Sequence, residues 1–307
     1  MNRKNTVLKM AGILLVAGLV LYFVGIVAFP FQHPIASHAL VQSGKAMELA
    51  YEREDYAVHA EGITEVRIRT RNMPITVTPS NDGEITLHYY TCETDPYEVS
   101  LDGGVLTLKY KYDNLFNAGS WFSGSTIFNV IHNTNPRVEV AVPEAYAGAL
   151  QLDTSNASVS VSGLTAAGDV RIDTSNSPIE VSNASATMLS AHTSNGAVTL
   201  DKVVVSGTVD MKSSNSSLTA RQVAAKDKLR LDTSNGRIVV DQVTSAAIEL
   251  KSSNASISGS VGGKRSDYTI SSDTSNADDN LGDGGKGPSR LTVNTSNGAI
   301  NISFLGE

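Results

Sequence analysis

Eight copies of the phrase Thr/Ser-Ser-Asn recur down the second half of the chain, ending at Asn156, Asn176, Asn195, Asn215, Asn235, Asn254, Asn276 and Asn297. The steps are 20, 19, 20, 20, 19, 22 and 21 residues. A period near 20 is too short for a helix-pair repeat or a propeller blade and fits one turn of a β-solenoid. Repeating the same residues builds a scaffold and leaves few positions unique enough to be a site.

Within one repeat the pattern is that of two half-buried strands. In Gly168–Ala186, Val170 and Ile172 alternate with Asp169, Arg171 and Asp173; Thr174-Ser175-Asn176 follows, and Ile179 and Val181 then alternate in turn. Period-2 alternation of this kind puts every second side chain on one face. Leu150/Leu152 with Val159/Val161, and Leu229/Leu231 with Ile238/Val240, repeat the plan. One coil cannot bury its own aliphatics, whereas stacked coils can.

Asparagine falls where the chain must turn, and it tolerates left-handed backbone better than other non-glycine residues. Its parity matches that of the inward aliphatics, so an inward amide bonding the next coil is the expectation, as in stacked Asn ladders. The residue after it is always small: Ala157, Ser177, Gly196, Ser216, Gly236, Ala255, Ala277 or Gly298. A ninth, degenerate copy lies upstream, since Thr70-Arg71-Asn72-Met73-Pro74-Ile75 matches Thr174-Ser175-Asn176-Ser177-Pro178-Ile179 in pattern. Between it and Val138, segments Glu84–Tyr90, Tyr97–Leu101 and Val105–Tyr112 alternate like antiparallel strands, with Asp102-Gly103-Gly104 as a turn. They are expected to cap the open end of the solenoid, which would otherwise invite edge-to-edge aggregation.

Met10–Phe31 runs 22 residues without a charge, preceded by Arg3, Lys4 and Lys9. That is long enough for a membrane-spanning helix of about 20 residues, with the positive side cytoplasmic. A signal peptide cut near Ala36 or Ala39 is the alternative. The expected organisation is 1–9 cytoplasmic, 10–31 a transmembrane signal anchor, 32–60 a linker or short polar helix, and 61–307 an extracytoplasmic solenoid with 82–137 as cap and insertion. The fold class expected is all-β, a single-chain parallel β-solenoid with a hairpin cap, preceded by one transmembrane helix.

The T-S-N-G corners at Thr193–Gly196, Thr233–Gly236 and Thr295–Gly298, the period near 20 and the N-terminal apolar segment together resemble the bacterial DUF4097-type adhesin family. The resemblance covers roughly Glu61 to Glu307. It implies a surface-exposed, membrane-anchored binding protein, some of whose relatives lie in envelope-stress loci. It carries no catalytic residues.

Three function classes remain in view. A formal net charge of −7 without a basic cluster excludes nucleic acid as the natural partner. Asp153 and Asp173, each preceding a T-S-N phrase, would stand about 5 Å apart on adjacent coils; a carboxylate pair of a glycan-cleaving β-helix is one reading, a ladder of paired surface charges the other. The column then passes to His192 and Lys212. The loop Asn276–Gly285 is rich in oxygen ligands but lacks the EF-hand glycine and glutamate. The aromatic run Tyr110, Tyr112, Phe116, Trp121 and Phe122 holds the chain's one tryptophan; it either seals the cap, dips into the membrane interface, or forms a contact surface for a cell-wall glycan or surface protein. The expected function is therefore a non-enzymatic adhesin or binding module, with no cofactor or metal. An accessory or sensor role in envelope-stress signalling is the alternative, and a carbohydrate-active enzyme the third.

Overall fold

The computed structural model describes residues 51–93, 95–111, 135–165 and 167–307. Nineteen strands join into one continuous hydrogen-bonded system. Each repeat contributes one strand to each of two parallel stacks. The first stack runs through β6 (Val105–Tyr110), β2 (Glu65–Arg69), β8 (Ala149–Asp153) and β10 (Ala167–Asp173), then the later halves of β11 (Ile179–His192), β14 (Leu218–Thr233) and β15 (Ile238–Ser252), with β13 (Thr208–Ser213) between β11 and β14. The second runs through β7 (Val138–Pro143), β3 (Ile75–Ser80), β9 (Val159–Ser162), the start of β11, β12 (Val198–Val205), the starts of β14 and β15, β16 (Ile257–Val261) and β19 (Ile300–Phe304).

The inward residues stack in register. One such column reads Leu108, Ile68, Leu152, Ile172, Ala191, Met211, Leu231, Leu250 and Val293. All of these are fully buried. Burial at about 25 cal/mol per Å² of apolar surface makes these columns the main cohesive force between coils.

Five consecutive coils also have a third, shorter face. The inward positions step by three rather than two at Val181 to Ala184, Leu200 to Val203, Ala220 to Val223 and Val240 to Val243, all of them buried or nearly so. The step is made by one residue in the left-handed conformation: Asn183 (φ 47°), Lys202 (φ 54°), Gln222 (φ 49°) and Gln242 (φ 56°), with Gly163 (φ 73°) beginning the column. Non-glycine residues there cost roughly 1–2 kcal/mol. Gln222→Gly is accordingly expected to leave the protein as stable or slightly more so, and Gln222→Val to destabilise it, since β-branching fits that region worst. Denaturant midpoints of the two variants provide the check.

The coils do not stack in chain order. At the N-terminal end β2 and β3 lie between β6/β7 and β8/β9. At the C-terminal end β18 (Ser289–Thr295) inserts between β15 and β17 (Tyr268–Thr274). One residue of β17 suits it to the outermost place. Ser272 of β17 pairs with Val293 and so occupies the position that is aliphatic in every other strand of the column. Its hydroxyl is buried without a hydrogen-bond partner. An interior place would surround that hydroxyl with apolar chains on both sides, whereas the outermost place leaves one side free. Ser272→Val is expected to raise stability by about 1 kcal/mol, the cost of an unpaired hydroxyl, read from the shift in unfolding midpoint.

Both ends are closed. β5 (Tyr97–Asp102) pairs antiparallel with β6 through a Gly103-Gly104 turn with φ of 56° and 81°. β4 (Glu84–Thr91) pairs antiparallel with β7, and β1 (Glu52–His59) pairs antiparallel with β4 along all eight residues. Residues 52–59, expected in a linker, are thus a strand of the cap. Its exposed sequence Glu-Arg-Glu-Asp discourages further strand addition on its outer edge.

The expected fold class is corrected in one respect. It included a transmembrane helix, but among the described residues no helix is long and apolar enough to cross a membrane. The helical structure described there is a 3-10 turn at Arg265–Asp267. The segment 10–31 itself lies outside the described residues.

Candidate functional site

The corner reads in, out, out, in. Thr70, Thr154, Thr174, Thr193, Ser213, Thr233, Ser252 and Thr295 are buried, while the following serine is exposed or half-buried and each asparagine is exposed. The buried hydroxyl does two jobs. Thr233 Oγ1 donates to the Ser216 carbonyl of the preceding coil (3.3 Å) and accepts from the Gly236 N–H (3.2 Å). Thr233→Val, which keeps the shape, leaves a buried N–H unpaired and is expected to cost about 1–3 kcal/mol, measured by chemical denaturation.

The asparagine amides point outward, not into the core, and form one unbroken chain of hydrogen bonds across the coils. In spatial order the rungs are Asn72, Asn156, Asn176, Asn195, Asn215, Asn235, Asn254, Asn297 and Asn276. Each Nδ2 donates to the Oδ1 of its neighbour over 2.6–2.9 Å. The inversion of Asn297 and Asn276 follows the inserted coil. An exposed amide trades its partners for water on removal, so Asn235→Ala is worth only about 1 kcal/mol.

Next to this ladder the first stack presents a band of charge. Asp153 and Asp173 are register partners on adjacent coils. Neither is a free carboxylate: Asp153 accepts from Gln151 Nε2 (2.9 Å) and Arg69 Nε (3.3 Å), and Asp173 lies 2.7 Å from Arg171. Partial burial, and then the neighbouring Asp173, push the Asp153 carboxyl up from its usual range. His192 continues the band, with Nδ1 3.7 Å from Asp173 and Nε2 3.2 Å from Asp210, whose carboxylate also holds Lys212 at 2.7 Å. Ser190 Oγ sits 3.1 Å from the same Nε2. The residue types are those of a nucleophile, a base and an acid, but the nitrogen facing the serine also faces Asp210 Oδ2. Sequence reading had found His192 in this column and missed Ser190 and Asp210; the i, i+2 spacing of Ser190 and His192 on one strand was the available signal.

For Asp210, burial opposes ionisation, yet the bonds from His192 and Lys212 outweigh it and hold the pKa at about 2. A carboxyl depressed below its unfolded value contributes stability that is present above the unfolded pKa and lost as pH falls toward the folded one. The loss through Asp210 therefore falls between roughly pH 4 and pH 2. His192→Gln is expected to move acid unfolding to higher pH, followed by circular dichroism.

The oxygen-rich loop 276–285 closes the C-terminal edge. Asn280 acts as a strand residue by its side chain, donating Nδ2 to the Ile302 carbonyl (3.0 Å) and accepting the Ile302 N–H (2.9 Å). Asp283 Oδ1 accepts the Ser272 N–H of β17 (2.8 Å), and Gly284 pairs with Ile270 through both backbone groups. Asp279 Oδ1 accepts from Leu281 and Gly282. Asp279, Asn280 and Asp283 thus serve the backbone, and among the described residues no group of three or more His, Cys, Asp or Glu side chains is arranged to hold a metal.

Of the aromatic run, Tyr110 alone is among the described residues; Tyr112, Phe116, Trp121 and Phe122 lie outside them. Tyr110 packs edge-on to Tyr97 (5.8 Å, 72°) and carries the Arg71 guanidinium 3.7 Å over its ring. Arg71 stands where other coils have serine, and its N–H donates to the Tyr97 hydroxyl (3.3 Å). Tyr51 donates to Asp95 (3.1 Å), whose carboxyl is pushed up by burial against the opposing effects of Tyr51 and Arg71. Tyr110 thus fastens the hairpin to the first coil.

The family model described as Toastrack DUF4097 matches residues 63–303 of the chain. The chain belongs to the Toastrack DUF4097 family. Its match begins at the loop before β2 and leaves β1 outside, so the charged edge strand stands beyond the Toastrack region as the family model has it. Solved structures resemble this Toastrack chain at low identity. A "putative adhesin" from Bacteroides fragilis NCTC 9343 is 10% identical, covers 84% of this chain and 100% of its own, and has a TM-score of 0.46. A "putative lipid binding protein" from Parabacteroides distasonis ATCC 8503 is 13% identical over 84% and 100%, with a TM-score of 0.46. A "putative adhesin" from the same strain is 13% identical over 82% and 97%, with a TM-score of 0.41. No curated protein matches the chain.

Proposed function

We propose that this Toastrack protein is a non-catalytic binding module of the cell surface, held at the membrane by its N-terminal apolar segment 10–31, and that it acts as an adhesin-type protein toward a cell-wall glycan or a surface protein. The observation that carries this reading is the repetition of the outward groups. Nine amides recur at one strand spacing, about 4.8 Å, so that each coil offers at its corner the amide its neighbour offers, beside a band of charge whose sign changes from coil to coil. Such an array suits a repeating partner better than a single small substrate. The chemistry-bearing groups read along it are engaged elsewhere: Asp153 and Asp173 in ion pairs, and Asp279, Asn280 and Asp283 in backbone caps.

The test is binding of the purified chain, in detergent, to cell-wall fractions and glycan arrays, beside Trp121→Ala and Tyr110→Ala variants. Saturable binding supports the reading; its loss in Trp121→Ala points to a contact on the cap insertion, while its loss in Tyr110→Ala alone reports the packing of Tyr110 on Tyr97 and Arg71. Absence of binding to every wall and glycan preparation and to intact cells overturns it. A soluble fragment for this work must begin before Glu52, because a start at Glu61 removes a cap strand.

A further inference from the structure

Three corners carry the dipeptide Asn-Gly: Asn195-Gly196, Asn235-Gly236 and Asn297-Gly298. A glycine after asparagine removes the side chain that would hinder its own amide nitrogen. That nitrogen can attack the asparagine Cγ. The new N–Cγ bond forms as the Cγ–Nδ2 bond breaks, the glycine N–H proton leaves with the departing nitrogen as ammonia, and a five-membered succinimide remains. Water then opens either imide carbonyl, giving aspartate or isoaspartate. No oxidant or metal is required.

The glycines are there for packing. A Cβ on Gly196, Gly236 or Gly298 would lie 1.8, 1.9 or 2.1 Å from the carbonyl oxygen of Ser177, Ser216 or Ala255 in the adjacent coil. Close stacking therefore imposes the sequence most open to this chemistry. Both reacting groups are nonetheless tied down. The glycine N–H donates to the buried threonine hydroxyl at 3.0 Å in Gly196 and 3.2 Å in Gly236 and Gly298. The carboxamide is held from both sides: Asn235 donates to Asn215 (2.9 Å) and accepts from Asn254 (2.7 Å). Bringing Cγ over the glycine nitrogen breaks the threonine bond and both ladder bonds together.

We propose that the three Asn-Gly corners are latent deamidation sites, kept unreactive by the buried threonine and the amide ladder and opened by loss of either. Reaction at one rung loosens the rung beside it. Aspartate has no Nδ2 to donate to the preceding rung, and isoaspartate lengthens the main chain at the corner where coils approach most closely. The neighbouring asparagine is left held from one side only.

Peptide mapping by mass spectrometry, on the full chain aged at mildly alkaline pH, tests this. The folded chain is expected to stay amidated at Asn195, Asn235 and Asn297, while the chain in denaturant deamidates at all three. Thr233→Val is expected to speed reaction at Asn235 about tenfold, the factor one net hydrogen bond represents, and to leave Asn195 and Asn297 unchanged. Thr233→Ser, which keeps the hydroxyl, should behave as the parent. Should Thr233→Val fail to fold, the exposed Asn215→Ala removes the acceptor for Asn235 and the donor to Asn195, and is expected to accelerate those two sites while leaving Asn297 unchanged. Deamidation at Asn235 as fast in the folded parent as in denaturant overturns the proposal. So does a folded Thr233→Val or Asn215→Ala whose Asn235 reacts no faster than the parent's.

Discussion

Leu231→Ala is expected to cost about 2–5 kcal/mol. Leu231 is fully buried, and its register partners Met211 and Leu250 lie directly on either side in the inward column. Removal takes away the transfer free energy of the lost methyls and leaves a cavity. The strands beside it are pinned by their own hydrogen bonds at fixed spacing and cannot close over the gap. In a solenoid each coil touches only its neighbours, so the loss is local in the first instance. Amide hydrogen exchange should show protection falling in β13, β14 and β15 before it falls at either end, alongside a lowered denaturant midpoint. A cost below about 1 kcal/mol would mean that the column is not packed as described.

Gly236→Ala is the second large effect, and its origin is the reverse. The added Cβ would stand 1.9 Å from the Ser216 carbonyl oxygen, 2.3 Å from its carbon and 2.9 Å from the Ser217 nitrogen. All three are backbone, so no side chain can swing aside, and two coils must separate at a corner. That puts the cost at about 3 kcal/mol, the upper end for overpacking. Gly83→Ala makes the control: a Cβ there meets nothing within 4 Å and the backbone is not left-handed. Its expected effect is neutral or slightly stabilising, through the unfolded state. Thermal melts of the two variants, run together, separate the stacking argument from any general intolerance of alanine.

The repeat was legible because the same physical demand is met many times. Alternation at Val170/Ile172 and Ile179/Val181 gives two strands per coil, and a one-letter register error at any single coil is outvoted by the others. The degenerate rung at Asn72 was legible for the same reason, and its amide does bond Asn156. What failed was parity across the corner. Counting by twos from Leu152 puts Asn156 inside, but the chain turns over three residues, from Thr154 to Ala157, and places the threonine inward. The third face hides behind the same arithmetic, because Val181 to Ala184 is also a step of three. Its corner residues Lys202, Gln222 and Gln242 are not those that chemistry recommends for left-handed backbone.

The order of the coils was not legible at all, since alternation reports which face a residue takes and not which neighbour it meets. Only Ser272, a hydroxyl in an otherwise aliphatic column, hinted that β17 belongs at an end. The candidate site was legible as residue types but not as partners. Asp153 and Asp173 do stand side by side in register. Arg69, the counter-ion of Asp153, is its register partner on the neighbouring strand, a relation visible only once the register is known, whereas Arg171 stands two residues before Asp173 on the same strand.

The two out-of-order insertions bear on how such a protein lengthens over evolutionary time. A repeat array that stacked in chain order could grow by adding a unit at either terminus, each new unit covering the last. Here the terminal positions are taken by strands that left the path and returned, with β18 seated inside β17 and β6 outside β2. The outer side of β19 is already fringed by Asn280. An added coil fits best within the array, between the rungs of Asn156 and Asn254, where the strands stack in chain order and both seals are left untouched.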